Sequence, residues 1–164
     1  MAVRPPSDGV VALRSLGRRW RALFAGLGDD EKPDDLAHRP GADRRSAVDH
    51  AQHATRTITL LDRALEQLLV DDDPVLHPAV VDLEQRSWEP TDTSVDDAID
   101  ELVDRAERLA QRAERATAED WARAASVAGA DVSVTALAVL WDAVDTAVAD
   151  LRAAESVLRE VRGR

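Results

Sequence analysis

Two of the four histidines, His50 and His53, stand three residues apart. On a helix that spacing puts both imidazoles on one face, and such a pair is half of a divalent-metal site. A working site needs at least one further ligand from another segment, and Asp142 and Asp145, again three apart, offer carboxylates of that kind. Two histidines at this spacing near a polar helix start more commonly form just a half-exposed pair, and on spacing alone that plainer reading leads. Trp141, one turn before Asp145, is either a core aromatic or the wall of a pocket that Asp49 and Asp142 would share. Arg14, Arg18 and Arg21 line one side of a helix as a solvated basic face or a seat for phosphate. Ser46 and His50 have the i,i+4 spacing of a nucleophile and its base. A pair on one straight helix has no oxyanion hole, however, and no catalytic residue is assigned. His38 and His77 fall in connections without a nameable partner.

Helices must position these groups. The first begins near Asp8 and repeats apolar residues at Leu13, Leu16, Trp20, Leu23, Phe24 and Leu27 before a stop at Gly28. Residues 29–41, with two prolines and several acids, read as a surface connection too polar for the core. A second helix runs from Asp43 or Arg44 to about Val70, with Ala47, Val48, Ala51, Ala54, Ile58, Leu61, Leu65 and Leu68 as its stripe, and ends at the acidic run before Pro74. The segment up to Pro90, with His77 and Trp88 inside it, is long enough to pack as a lid or hold a short helix. Thr93 or Ser94 caps a third helix, with Val95, Ala98, Ile99, Leu102, Ala106, Leu109 and Ala113 on its inner face. Ser133 caps a fourth, running through Val134, Leu137, Leu140, Trp141, Val144, Val148, Leu151 and Leu158. Strand signals are almost absent, so the pattern predicts one all-α domain over 1–164, an up-down four-helix bundle.

Composition narrows the function. The chain has 164 residues, 45% hydrophobic and 32% charged, enough for one substantial core. With 32 acidic against 21 basic residues the net charge is −11, which opposes binding to nucleic acid or an anionic membrane. No apolar run reaches the ~20 residues needed to span a bilayer, and the N-terminal residues lack a signal peptide's apolar stretch, so a cytoplasmic location is expected. There is no cysteine, which excludes disulfides, thiolate ligands and a cysteine nucleophile. No glycine-rich phosphate loop, HExxH, nucleophile elbow or EF-hand loop is present. Lys32 is the only lysine, and Ala, Val, Asp and Arg dominate, the bias of a GC-rich genome.

The stretch Arg45-Ser-Ala-Val-Asp-His-Ala-Gln-His53, with Leu60 to Leu69 and Asp71 to Pro74 after it, resembles the DinB-like superfamily in its actinobacterial branch. Trp20 to Leu23 and Glu119 to Trp121 are similar to that branch too, so the likeness covers nearly the whole chain. The resemblance implies a four-helix bundle, and among its members are metal-dependent, thiol-linked transferases of the mycothiol-dependent maleylpyruvate isomerase type. It also implies a divalent metal, zinc or nickel, held by one histidine on the second helix and two on the last. By position His53 matches the first ligand. The last-helix pattern His-Asp-x-x-His reads here Trp141-Asp142-Ala143-Val144-Asp145, so Asp142 matches while both histidines are replaced. An indole offers only an N–H donor, whereas Asp145 keeps an oxygen that zinc accepts, and His50 adds a second imidazole. The expectation is a bundle whose metal site has degenerated and which binds a small molecule or a partner, including a second copy as a homodimer. The alternative is a transferase or hydrolase in which His53, His50 and Asp145 hold a metal and activate mycothiol or water.

Overall fold

The computed structural model describes residues 2–25, 33–41, 43–86 and 88–163. Four long helices dominate: α1 (Pro6–Ala25), α3 (Ala47–Val70), α4 (Val95–Arg115) and α5 (Ala136–Val161). A short α2 (Pro33–Ala37) and three strands, β1 (Val75–Leu76), β2 (Ala124–Val127) and β3 (Ala130–Thr135), complete the regular structure, with 3₁₀ turns at Pro78–Val80, Leu83–Gln85 and Asp120–Ala122. The architecture is mostly helical with one small sheet.

The helix boundaries follow from local chemistry. Proline at the first helical position starts α1 two residues before the expected Asp8, which instead places its charge in the first turn. The proposed stop at Gly28 lies outside the described residues. At α3 the cap is Ser46: its Oγ accepts from the Asp49 N–H at 3.1 Å, and Asp49 Oδ2 accepts from the Ser46 N–H at 2.9 Å. This reciprocal pair satisfies two otherwise orphaned donors. Ser94 caps α4 through the Asp97 N–H, with acids in the first turn and Arg112 and Arg115 in the last.

Two sequence expectations are corrected. Residues 29–41 are not all surface, because α2 buries Leu36 and Ala37 completely. Asp34 Oδ1 accepts from the Val95 N–H at 2.7 Å, and the His38 ring lies within hydrogen-bonding reach of the Asp34 and Thr93 carbonyls, so this turn is fastened to the start of α4. Ser133, expected as a helix cap, instead belongs to β3, and Thr135 caps α5 through the Ala138 N–H. Gly129, at φ 72°, turns the chain between β2 and β3, which pair antiparallel, while β1 joins β2 in parallel with Val75 opposite Ser126 and Leu76 opposite Val127. β2 alternates exposed and buried residues, but alanine and serine fill three of its four positions and give little strand signal.

The long helices pack in a cycle, α3 against α4 and α5, and α1 against the same two. Leu13, Leu16 and Trp20 of α1, Ile58, Leu61, Leu65 and Leu68 of α3, Leu102 and Leu109 of α4 and Leu140 of α5 are fully enclosed. α3 and α5 pack against each other, and their buried residues include many alanines, Ala47, Ala51, Ala54 and Ala64 on one and Ala136, Ala143, Ala147 and Ala154 on the other. The edges of the helix pairs carry ion pairs. Arg112 Nε reaches Asp62 at 2.7 Å across the α3–α4 seam, and Arg14 of α1 reaches both Glu107 and Glu114 of α4. Hydrogen bonding from Arg14 holds both glutamates below the ordinary carboxylate range.

Two outcomes follow from these contacts. Ser46→Ala should cost about 1 kcal/mol in urea unfolding, the usual value of a lost cap. Arg14→Gln removes the cause of the depressed Glu107 and Glu114 values. A carboxyl depressed in the folded state stabilises above its unfolded value and loses that contribution as pH falls through its folded value. The gap in urea midpoint between wild type and Arg14→Gln should therefore be full above the ordinary value of 4.5 and close progressively below it. A gap that does not change with pH would contradict this origin.

Candidate functional site

His50 and His53 do share a face of α3, and that face is turned toward α5. The carboxylate that meets them there is Asp150: His53 Nδ1 lies 2.7 Å from Oδ2, and His50 Nδ1 lies 3.3 Å from Oδ1. Asp150 and His50 are buried and the His53 side chain is 13% exposed. An ionised carboxylate only accepts, so each imidazole presents an Nδ1–H to it. One buried charge is thus held by two donors, and both ring orientations are fixed from the same point. His50 Nε2 lies 3.5 Å from Asp43 Oδ2 and makes no hydrogen bond among the described residues.

An aromatic plate covers the pair. The Trp88 ring stacks flat on His53, with centroids 4.1 Å apart and planes 2° from parallel, and meets His50 edge-on at 5.0 Å. The Arg45 guanidinium lies 3.7 Å from the centre of Trp88, which places it on the face that His53 leaves free. Arg44, at φ 64°, makes the left-handed turn between Asp43 and Arg45, and those two neighbours are the residues that reach the histidine cluster.

The segment that carries Trp88 is tied down from both ends. Asp49 Oδ1 accepts from the Thr91 N–H at 3.0 Å while its other oxygen completes the α3 cap, so the expected pocket residue Asp49 is a strut below the site. Asp142 is another: its Oδ2 accepts from Arg86 Nη2 at 2.6 Å, and Arg86 also donates to the carbonyls of Ala79 and Val80. Trp141 and Asp145 stand elsewhere. Arg4 donates to both Asp145 oxygens, at 2.8 and 2.7 Å, its guanidinium covers the Trp141 ring at 3.8 Å, and the indole N–H donates to the Arg4 carbonyl. That surface clasp raises the Arg4 guanidinium above its usual value through the Asp145 hydrogen bond.

The expected trio of His53, His50 and Asp145 is therefore not the grouping found. Asp145 and Asp150 are five residues apart, about 140° around the helix axis, so a helix that turns one toward α3 turns the other away. With Asp145 bound to Arg4 and turned to another side of α5 from Asp150, the three expected ligands do not converge on one point, although each histidine keeps its Nε2. Among the described residues no group of three or more His, Asp or Glu side chains could hold a metal ion.

Beside His53 the surface opens into a pocket of about 200 Å³. Arg56, Thr57 and Leu60 of α3 form one wall with His53, and His77, Ala79, Gln85 and Arg86 form the other. Larger depressions of about 450 Å³, beside Phe24 and beside Leu69, are lined by surface charges and contain no histidine. Sequence reasoning missed Asp150, Trp88 and Arg86. Asp150 could have been found, since it interrupts an apolar stripe between Ala147 and Ala154 at helical spacing, which forces a carboxylate into the interior.

Compared with known proteins, the chain matches no family model, no curated protein and no solved structure.

The two carboxylates of α5 should behave differently when removed. Asp150→Ala leaves two enclosed imidazole donors without an acceptor and should cost about 1–3 kcal/mol in urea unfolding. Asp145→Ala breaks an exposed pair and should cost at most about 1 kcal/mol. Equal losses would mean that the Asp150 cluster is no more than a surface-type contact.

Proposed function

We propose that this chain is a DinB-like four-helix bundle that has lost its family's three-histidine metal site and works as a metal-free receptor for a small molecule. The observation that carries the reading is that the third expected ligand, Asp145, is bound to Arg4 and does not join the two histidines, which meet Asp150 instead. The long helices and the resemblance around His53 support the bundle assignment. The pocket next to His53 supports the choice of a small molecule over a large partner, because 200 Å³ between α3 and a clamped segment suits a compact ligand and not a peptide.

In this reading the residues have binding roles. Asp150 holds His53 in one orientation, Trp88 shields its face from water, and Arg86, clasped by Asp142, fixes the opposite wall. A pre-oriented wall loses little freedom on binding, which is the condition for useful affinity from a small contact area.

The test is metal content by mass spectrometry on untagged protein offered zinc, nickel and iron in turn, beside the thermal midpoint in the presence of a chelator. Substoichiometric metal and an unchanged midpoint are expected. Stoichiometric metal that disappears in both His53→Ala and Asp145→Ala would overturn the reading in favour of a rebuilt metal centre that activates a thiol or water.

A further inference from the structure

The walls of the His53 pocket differ from the rest of this acidic chain in one respect: the residues lining it include two arginines and two histidines and no aspartate or glutamate. The carboxylates that pair with three of these side chains are outside the lining. Asp142 meets Arg86, Glu89 meets Arg56 at 3.4 Å and Asp150 meets His53, and none of the three lines the cavity.

The lining also holds polar groups that have no partner among the described residues. Arg86 has a side chain only 4% exposed, and three of its donor bonds are accounted for: Nε to the Ala79 carbonyl and Nη2 to the Val80 carbonyl and Asp142. Its Nη1 is buried with no partner among the described residues. Thr57 Oγ1, on the facing wall and one turn beyond His53, is likewise buried without a partner among them. His77 Nδ1 accepts from the Ala79 N–H at 3.1 Å, so that nitrogen carries no proton and the ring's hydrogen is on Nε2. The walls thus hold a buried, unmet guanidinium N–H, a buried, unmet hydroxyl and an imidazole N–H, beside the acceptor atoms His53 Nε2 and Gln85 Oε1, with Leu60 and Ala79 as the apolar parts. Unmet buried donors are costly, and an acceptor that enters among them regains what their burial loses.

We propose that this pocket binds a small organic carboxylate, its oxygens accepting from Arg86 Nη1 and Thr57 Oγ1 and its hydrocarbon part lying against Leu60 and Ala79. A planar carboxylate fits better than a phosphate dianion. Arg86 has one Nη left to give, and Asp142 close behind it opposes a second negative charge. The inference rests on the small-ligand reading above and adds the charge and shape of the ligand.

Calorimetric titration of the full chain, in chelator, with benzoate, benzamide and benzamidine separates the two claims. These probes share a ring and differ in carrying a negative, a neutral or a positive head. Benzoate should bind with saturation, and benzamide about tenfold more weakly, the difference made by one hydrogen bond to a charged group. Thr57→Val should weaken benzoate by about the same factor without lowering the urea midpoint, since the hydroxyl it removes is unbonded in the free protein. Arg86→Met should abolish benzoate binding. Because Arg86 also holds the 79–80 carbonyls, Thr57→Val decides the matter if that variant unfolds. Benzamide or benzamidine binding as tightly as benzoate would overturn the carboxylate assignment and leave the small-ligand reading standing. An unchanged benzoate affinity in Thr57→Val, or no binding of any probe, would also overturn the proposal. Stoichiometric metal in the same sample would bring down the reading beneath it.

Discussion

A single carboxylate enclosed between two helices sets the terms for the rest of this molecule. Asp150 lies in a row of alanines, where an unpaired charge would cost more than the whole domain can spare. Two imidazole N–H groups from the facing helix offset that cost, and they do so only if α3 and α5 hold one register. A slide of α3 by one residue would turn His50 and His53 about 100° away and leave the carboxylate without donors. Apolar packing along the alanine-rich seam is tolerant of such slides, because small side chains make few distinctive knobs. The polar cluster thus ties α3 and α5 to one register, while leucines of α1, α3 and α4 are among the fully enclosed side chains of the core.

The histidine cluster also determines where the segment between β1 and α4 must lie. Trp88 gains its stacking only against a ring that Asp150 holds still, and Arg45 closes the other side of the indole. Asp49 and Asp142 then hold that segment from below, one through the Thr91 N–H and one through Arg86. Both acids perform a second task, since Asp49 completes the α3 cap and Asp142 accepts from Thr146. Arginine is suited to this role in a way that lysine is not: a planar fork can bind a carboxylate and two backbone carbonyls at once. Arg86 does so with Nε and Nη2, and Arg4 uses the same geometry to clasp Asp145 and Trp141.

Much of the helical frame was legible in the residues. The stripes of α1, α3 and α4, the Ser94 cap and the shared face of His50 and His53 are all periodic signals confined to one segment. What could not be read was long-range. The choice between Asp145 and Asp150 depends on which side of α5 meets α3. The helix starts at Ala136 and not at Ser133, because β3 pairs with β2, a contact that leaves little mark in a sequence of alanine, serine and valine. Trp88 and Arg86 are about 35 residues from the histidines in the chain and sit in irregular structure, where no period indicates direction. The residues that the resemblance singles out on the last helix, Trp141 and Asp145, are joined to the N-terminal segment through Arg4.

This division between frame and irregular segment has a consequence for how the site works. His53, Arg56, Thr57 and Leu60 come from one helix and keep a fixed spacing, whereas His77, Ala79, Gln85 and Arg86 come from two short 3₁₀ turns and the residues that cap them, held by local backbone hydrogen bonds and by the Arg86 side chain. Regular elements give a wall precision, and irregular ones give it shape. The carbonyls of Ala79 and Val80 point to Arg86 and not to water, so the second wall is built around the same guanidinium that has a donor to spare. Anything that accepts from that donor also touches the support of the wall. The order of the 77–86 segment and the spare Nη1 donor therefore depend on one side chain, which Asp142 on α5 links to the helical frame.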